Sequence, residues 1–80
     1  MNNIVFLRSA VKSLGKYDKV TRKRIINAIE IIPQGDIKKL KGEKHPALYR
    51  LRVGKYRIIY HIENQSIVIV GVDTRGDIYK

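Results

Sequence analysis

A chain of 80 residues without cysteine accommodates one small domain and excludes disulfide staples and thiolate metal sites. Seventeen Lys and Arg stand against seven Asp and Glu, a net charge of +10, and a positive field of that size points to nucleic acid or an acidic protein as partner. No apolar run approaches the about 18 residues of a membrane span, and "MNNIVFLRS" lacks the basic start and long apolar stretch of a secretory leader, so a soluble, cytoplasmic protein without a membrane partner is expected.

"NIVFL" at 3–7 is rich in β-branched and aromatic residues and predicts a first strand. Ser9 is positioned to cap a helix over "AVKSL", which Gly15 can end. Asp18 is positioned to cap a second helix, "KVTRKRIINAIEII", in which Ile25, Ala28, Ile29 and Ile32 recur at helical spacing while Arg22, Lys23 and Glu30 face water. Pro33 and Gly35 break it. "DIKKLKGEKHPA" is polar and predicts an irregular segment, with Leu40 as its anchor and His45 exposed. Strands are predicted at 48–53, 56–62 and 66–73, with a possible short last one at 77–79. The order β-α-α-β-β-β over a single domain, residues 1–80, predicts an α+β fold: a small antiparallel sheet with two N-terminal helices packed on one face.

The stretch "LYRLRVGKYRIIY" carries the strongest local signal. Gly54-Lys55 fits a two-residue type II′ hairpin turn. That turn pairs Val53 with Tyr56, Arg52 with Arg57, Leu51 with Ile58, Arg50 with Ile59 and Tyr49 with Tyr60. Side chains alternate between faces, so Tyr49, Leu51, Val53, Tyr56, Ile58, Tyr60 and Ile62 face the helices, and Arg50, Arg52, Arg57, Ile59 and His61 share the other side. Like charges directly opposite each other cost up to about 1 kcal/mol, and neither of these two strands holds an acid between Tyr49 and Ile62. An anion seated between Arg52 and Arg57 turns that cost into attraction, because the guanidinium fork matches phosphate oxygens. Beyond, an Asn64-Gln65 turn pairs Ile62 with Ile67 and Tyr60 with Ile69, which predicts Val68, Val70 and Val72 on the arginine face.

"KLKG", "YRLRVGKYRIIYHI" and "VDTRGDIYK", with the helical "RKRIINAIEII", resemble the RelE/ParE superfamily of toxins from type II toxin–antitoxin pairs, over nearly the whole chain. The resemblance, taken to the RelE-like branch, implies a ribosome-dependent endoribonuclease that cuts mRNA in the ribosomal A site, with a cognate acidic antitoxin, the ribosome and mRNA as partners. It implies catalytic roles for Arg57, Arg75 and Tyr79: Arg57 matches the arginine after "G-x-Y", Arg75 the arginine four before the terminal tyrosine, and Tyr79 that tyrosine. Arg50 and Arg52 stand where related toxins often carry a Lys-x-Lys pair, and they are assigned to RNA phosphate binding. "DT" precedes Arg75 where many relatives have glycine and histidine.

RNA cleavage by 2′-hydroxyl attack needs a base, an acid and cations. Cations abound here, and Tyr79 becomes a workable base where arginines stabilise its phenolate. His61 shares the arginine face and is a supporting candidate. Asp73 and Asp77 are too isolated for a metal site, and neither metal nor cofactor is expected. The alternative activity within the superfamily is ParE-like inhibition of DNA gyrase without nuclease activity. A third is an inactive RNA-binding module, whose charge alone would give nonspecific affinity.

Overall fold

Asp18 starts the longest helix. Its carboxylate accepts the Thr21 N–H at 2.9 Å and caps α2 (Lys19–Glu30), as its place before an apolar-periodic run predicts. The computed structural model describes residues 3–40 and 46–74. Around α2 stand β1 (Asn3–Phe6), α1 (Arg8–Gly15), β2 (Asp36–Lys39), β3 (Tyr49–Val53), β4 (Tyr56–Glu63) and β5 (Ser66–Thr74). The α+β class with a helix pair on one face of the sheet is as predicted. His45, Arg75, Tyr79 and the strand predicted at 77–79 lie outside the described residues.

The sheet runs β1-β5-β4-β3-β2 and differs from the predicted one in two respects. First, it is mixed. β1 pairs parallel with β5, Ile4 beside Ile67 and Phe6 beside Ile69, because α1 and α2 carry the chain away before the meander returns beside it. Second, the "DIKK" segment is a strand, β2, antiparallel to β3. Its charges hid it from a reading by hydrophobicity, yet charged edge strands are what sheets use against edge-to-edge association. Ile37 is its partly buried residue packed on the core.

Helix α1 also begins differently. Leu7 is its N-cap residue, with no side-chain cap. Ser9 lies inside the helix, and its Oγ donates to the Val70 carbonyl at 2.6 Å.

The β3–β4 register is the one predicted, with Arg52 opposite Arg57 and Leu51 opposite Ile58. Gly54 has φ +58°, as the first position of a type II′ turn demands. Asn64 and Gln65 both have positive φ, 51° and 65°, the geometry of a type I′ turn. From that turn β4 and β5 pair as predicted up to Tyr60 and Ile69. Ile59 then pairs with Gly71, so Val70 is an extra residue, a β-bulge. The bulge corrects the face assigned to Val72. Val72 pairs with Ile58 and is buried in the core rather than beside the arginines. Val68 is on the arginine side, opposite His61.

The core lies between helices and sheet. Ala10 and Leu14 of α1, Ile25 and Ile29 of α2, and Leu51, Ile58, Tyr60, Ile67, Ile69 and Val72 of the sheet form one buried cluster. Tyr49 stacks on Tyr60 with ring centroids 5.4 Å apart, and Tyr17 meets Tyr56 at 4.9 Å. Ile62, expected on the helix face, is 49% exposed. Arg22, expected in water, is half-buried and donates to the Tyr17 carbonyl. Among the described residues, no helix is long and apolar enough to cross a membrane.

Two stability tests follow from these turns and caps. Hydrogen bonding by Thr21 holds the Asp18 carboxyl below its usual value, with Arg22 adding to the effect. A depressed carboxyl contributes stability that is fully present above its unfolded value, near pH 4, and is lost as pH falls through the folded value. Asp18→Ala therefore unfolds at lower urea than the parent at neutral pH, and the gap narrows as the pH drops below about 4. At Gly54 an added Cβ would stand 3.0 Å from Arg24 Nη2 and sit in a left-handed backbone. Gly54→Ala is expected to cost about 1–2 kcal/mol, and the cost persists in an Arg24→Ala background because the backbone strain remains when the flexible neighbour is gone.

Candidate anion and nucleic-acid interface

The helices cover one side of the sheet. On the other, the cross-strand pairings bring Asp36, Arg52, Arg57 and Asp73 into a single row across β2, β3, β4 and β5. The next row holds Lys38, Arg50, Ile59 and Gly71. Further along stand His61 and Val68, with Val5 of β1 opposite Val68. Period-two alternation places these side chains together. The strands' hydrophobic alternates, Leu51, Ile58 and Val72, hold the opposite side in the core.

The arginine pair is thus not unrelieved, as β3 and β4 taken alone imply. Each arginine has an aspartate on its outer flank, supplied by the two strands that complete the sheet. Arg52 and Asp36 are exposed, whereas Arg57 and Asp73 are half-buried. Asp36 also reaches diagonally to Arg50, whose Nη2 lies 3.4 Å from Asp36 Oδ1. That pair is long and its carboxylate is 62% exposed, so it ranks with surface pairs worth about 1 kcal/mol or less. Arg50 itself is only 14% exposed. Its buried Nε has no hydrogen-bond partner among the described residues. A buried charged donor without a partner is costly, and an incoming acceptor would satisfy it.

The hairpin tip completes the basin. An open depression of about 350 Å³ is lined by Arg52, Gly54, Lys55 and Arg57. Lys55 Nζ sits 5.6 Å from the centre of the Tyr56 ring, within cation–π range. Arg24 reaches from α2 to the back of the turn, against Gly54. Three cations therefore line one concavity, and a fourth stands behind it. Such an arrangement holds a phosphate group by charge and by guanidinium forks.

Of the predicted site residues, Arg50, Arg52 and Arg57 come together on this face. His61 shares it but stands four residues from Arg57 along β4, about 13 Å at strand spacing, too far to share one phosphate with Arg57. Its ring Nδ1 is 4.0 Å from Glu63 Oε1, and the side chain is 14% exposed. Burial, with Tyr49 adding, raises the Tyr60 phenol above its usual value. Burial does the same to Tyr17, with Tyr56 and Asp73 adding. Both remain phenols at neutral pH and neither is a base. Asp36, Lys38 and Lys55 are members of the face that reading the hairpin alone missed. Lys55 was legible as the turn residue; Asp36 and Lys38 required β2 to be recognised as a strand. Asp73 required the bulge.

The chain matches the family model described as ParE toxin of type II toxin-antitoxin system, parDE, over residues 4–79. No curated protein matches it. Among solved structures it is similar to the RelB–RelE antitoxin–toxin complex from Methanococcus jannaschii, with 34% identity over 94% of this chain and 94% of that one and a TM-score of 0.75. It is similar to the archaeal RelE–RelB complex from Pyrococcus horikoshii, with 28% identity over 95% and 97% and a TM-score of 0.75. It is similar also to the toxin–antitoxin complex RelBE2 from Mycobacterium tuberculosis, with 25% identity over 95% and 93% and a TM-score of 0.76. A helix pair on one side of the sheet, a basic face on the other and a family match across nearly the whole length lead to one conclusion: the chain belongs to the ParE toxin family of type II toxin–antitoxin systems, within the RelE/ParE superfamily.

Proposed function

We propose that the protein is a toxin that acts as a ribosome-dependent endoribonuclease, cutting mRNA in the ribosomal A site. The observation that carries this reading is the cross-strand pair Arg52–Arg57 at an open depression shared with Lys55. This is a cationic concavity on the side of the sheet that the helices leave uncovered. In the reaction the 2′-oxygen bonds to the adjacent phosphorus, the bond from phosphorus to the 5′-oxygen breaks, and the 2′-hydroxyl proton passes to a base while the leaving oxygen takes one up. The products are a 2′,3′-cyclic phosphate and a 5′-hydroxyl. Arg57 and Arg75 stabilise the charge that grows on the phosphate. Arg50 and Arg52 hold the strand by its phosphates, and Tyr79 takes the 2′-hydroxyl proton. The roles of Arg75 and Tyr79 rest on the family resemblance, and His61 is a supporting group.

The partner that restrains the toxin is an acidic antitoxin. Support comes from the net charge of +10 and from the RelE–RelB complexes among similar structures. An antitoxin segment with acidic residues suits a face that carries Arg50, Arg52 and Arg57, on which Ile59 and Val68 are buried and Val5 is the exposed apolar side chain. A second reading, inhibition of DNA gyrase without RNA cleavage, is favoured by the matched model being that of the ParE toxin.

A ribosome-programmed mRNA cleavage assay, run beside a gyrase supercoiling assay, separates the two. Cleavage is expected with ribosome-bound mRNA and hardly at all with free RNA, because the arginine-rich face lacks a strong acid–base pair and gains from a substrate positioned for it. Equal rates on free and bound RNA would contradict the proposal, and loss of supercoiling without cleavage would select the gyrase reading.

Arg57→Ala and Arg75→Ala are each expected to slow single-turnover cleavage by at least about a hundredfold, the scale for one preorganised stabiliser of transition-state charge. Tyr79→Phe should slow the chemical step while leaving ribosome binding near the parent level. Parent-like single-turnover rates in Tyr79→Phe would remove its assigned role.

A further inference from the structure

The row Asp36–Arg52–Arg57–Asp73 has an order that a plain RNA-gathering surface would not need. Two guanidinium groups stand inside and two carboxylates outside, one from each flanking strand. Neighbouring strands lie about 5 Å apart, so each carboxylate starts one strand from its nearer arginine and two from the farther. The carboxylates offset the repulsion between the arginines, which is a structural effect. They also act on whatever anion sits between the arginines.

We propose that Asp36 and Asp73 are specificity-determining residues, which suppress capture of doubly charged phosphates by the arginine pair and so keep it available for the singly charged phosphodiester of a nucleic-acid strand. The inference rests on the reading of this face as an RNA phosphate site, and it adds the charge state that the site selects. Coulomb energy scales with the charge of the ligand. A phosphodiester carries one negative charge, whereas a terminal phosphate monoester carries close to two above its second pKa of about 6. The arginines alone would therefore favour monoesters strongly over diesters. Each flanking carboxylate reduces that advantage. An anion between the arginines lies about one and a half strands, ~7 Å, from each carboxylate. At that distance in high dielectric, one unit charge acting on another changes binding by about 2.7-fold, and on a double charge by the square, about sevenfold. Removing one carboxylate thus tightens diester binding about 2.7-fold and shifts the preference toward monoester by about the same factor again.

The sheet topology gives each carboxylate a fixed place. Asp36 sits on edge strand β2, opposite Arg52 and within 3.4 Å of Arg50. Asp73 reaches the row because the bulge at Val70 turns it toward Arg57.

The test uses the full chain and two competitors, each displacing a fluorescent single-stranded DNA that lacks the 2′-hydroxyl and is not cut. Dithymidine monophosphate offers one diester, and thymidine 5′-monophosphate offers one monoester. The readout is the ratio of their competition midpoints at pH 7.5. Asp36→Asn and Asp73→Asn are each expected to shift that ratio about 2.7-fold toward the monoester. Asp73→Glu keeps the parent ratio. Glu30→Gln makes the same change in net charge on the exposed end of α2 and should move the ratio less than about 1.3-fold, the spread left for a screened distant charge. If Asp73→Asn does not fold, Asp36→Asn carries the test, since its side chain is 62% exposed on an edge strand. An unchanged ratio in Asp36→Asn overturns the proposal. So does an equal shift in Glu30→Gln, or failure of both nucleotides to displace the oligonucleotide from the parent protein. The assay involves neither ribosome nor cleavage. A protein that keeps the predicted ratios but does not cut mRNA sinks the nuclease reading alone, and one that cuts mRNA with unchanged ratios sinks this inference alone.

Discussion

The extra residue at Val70 is the constraint on which the rest of the sheet depends. Side chains in a strand alternate with period two, so one inserted residue exchanges the faces of everything beyond it. Without it, β5 would continue the register of the Asn64-Gln65 turn. Val72 would then lie among the arginines and Asp73 would point at the helices. With it, Val72 enters the core beside Ile58, and Asp73 stands opposite Arg57. A single backbone irregularity therefore adds a valine to the core and keeps a carboxylate out of it. The Ser9 hydroxyl, donating to the Val70 carbonyl, ties the irregularity to α1. In a chain of 80 residues the core is small, and an aspartate directed into it would cost several kcal/mol.

The same economy governs the basic face. Two arginines directly opposite each other are destabilising in an isolated hairpin. In the completed sheet the hairpin gains a strand on each side, and each strand contributes an aspartate to the same row. The face remains strongly basic through Arg50, Lys38 and Lys55, but its charge is ordered rather than merely abundant. This order matters for function because a disordered excess of charge gives salt-sensitive, nonspecific affinity for any polyanion, whereas cations held between fixed carboxylates discriminate by ligand charge and position. The concavity at the hairpin tip, where Gly54 lets the backbone turn and Arg24 approach from behind, supplies the shape that goes with the charge.

Membership of the toxin family and the choice of target are separate matters physically. The fold is common ground between nuclease and gyrase-directed members of the superfamily, as the family resemblance implies. What distinguishes an RNA-cutting protein is a base, an acid and a set of cations within reach of one phosphate. The described face supplies the cations. Tyr17 and Tyr60 are held as phenols, the wrong protonation state for the base, so the nuclease proposal has to draw its base from elsewhere.

Local rules made much of this legible in the sequence. The α2 cap at Asp18, the helical stripe of Ile25, Ala28, Ile29 and Ile32, the turn at Gly54-Lys55 and the whole β3–β4 register follow from short-range geometry, since turn type and alternation act over a few residues. With them came the gathering of Arg50, Arg52 and Arg57 on one face and the α+β class. Three features belonged instead to contacts between residues distant in sequence: the parallel docking of β1 on β5, the existence of β2 and the bulge at Val70. Edge strand β2 has too little hydrophobicity to announce itself and forms because β3 offers it a ladder. β1 runs parallel because two helices intervene. The bulge exists because core burial of Val72 and solvent access for Asp73 can be met together only by shifting the register, and no window of local sequence contains the partners that impose that choice.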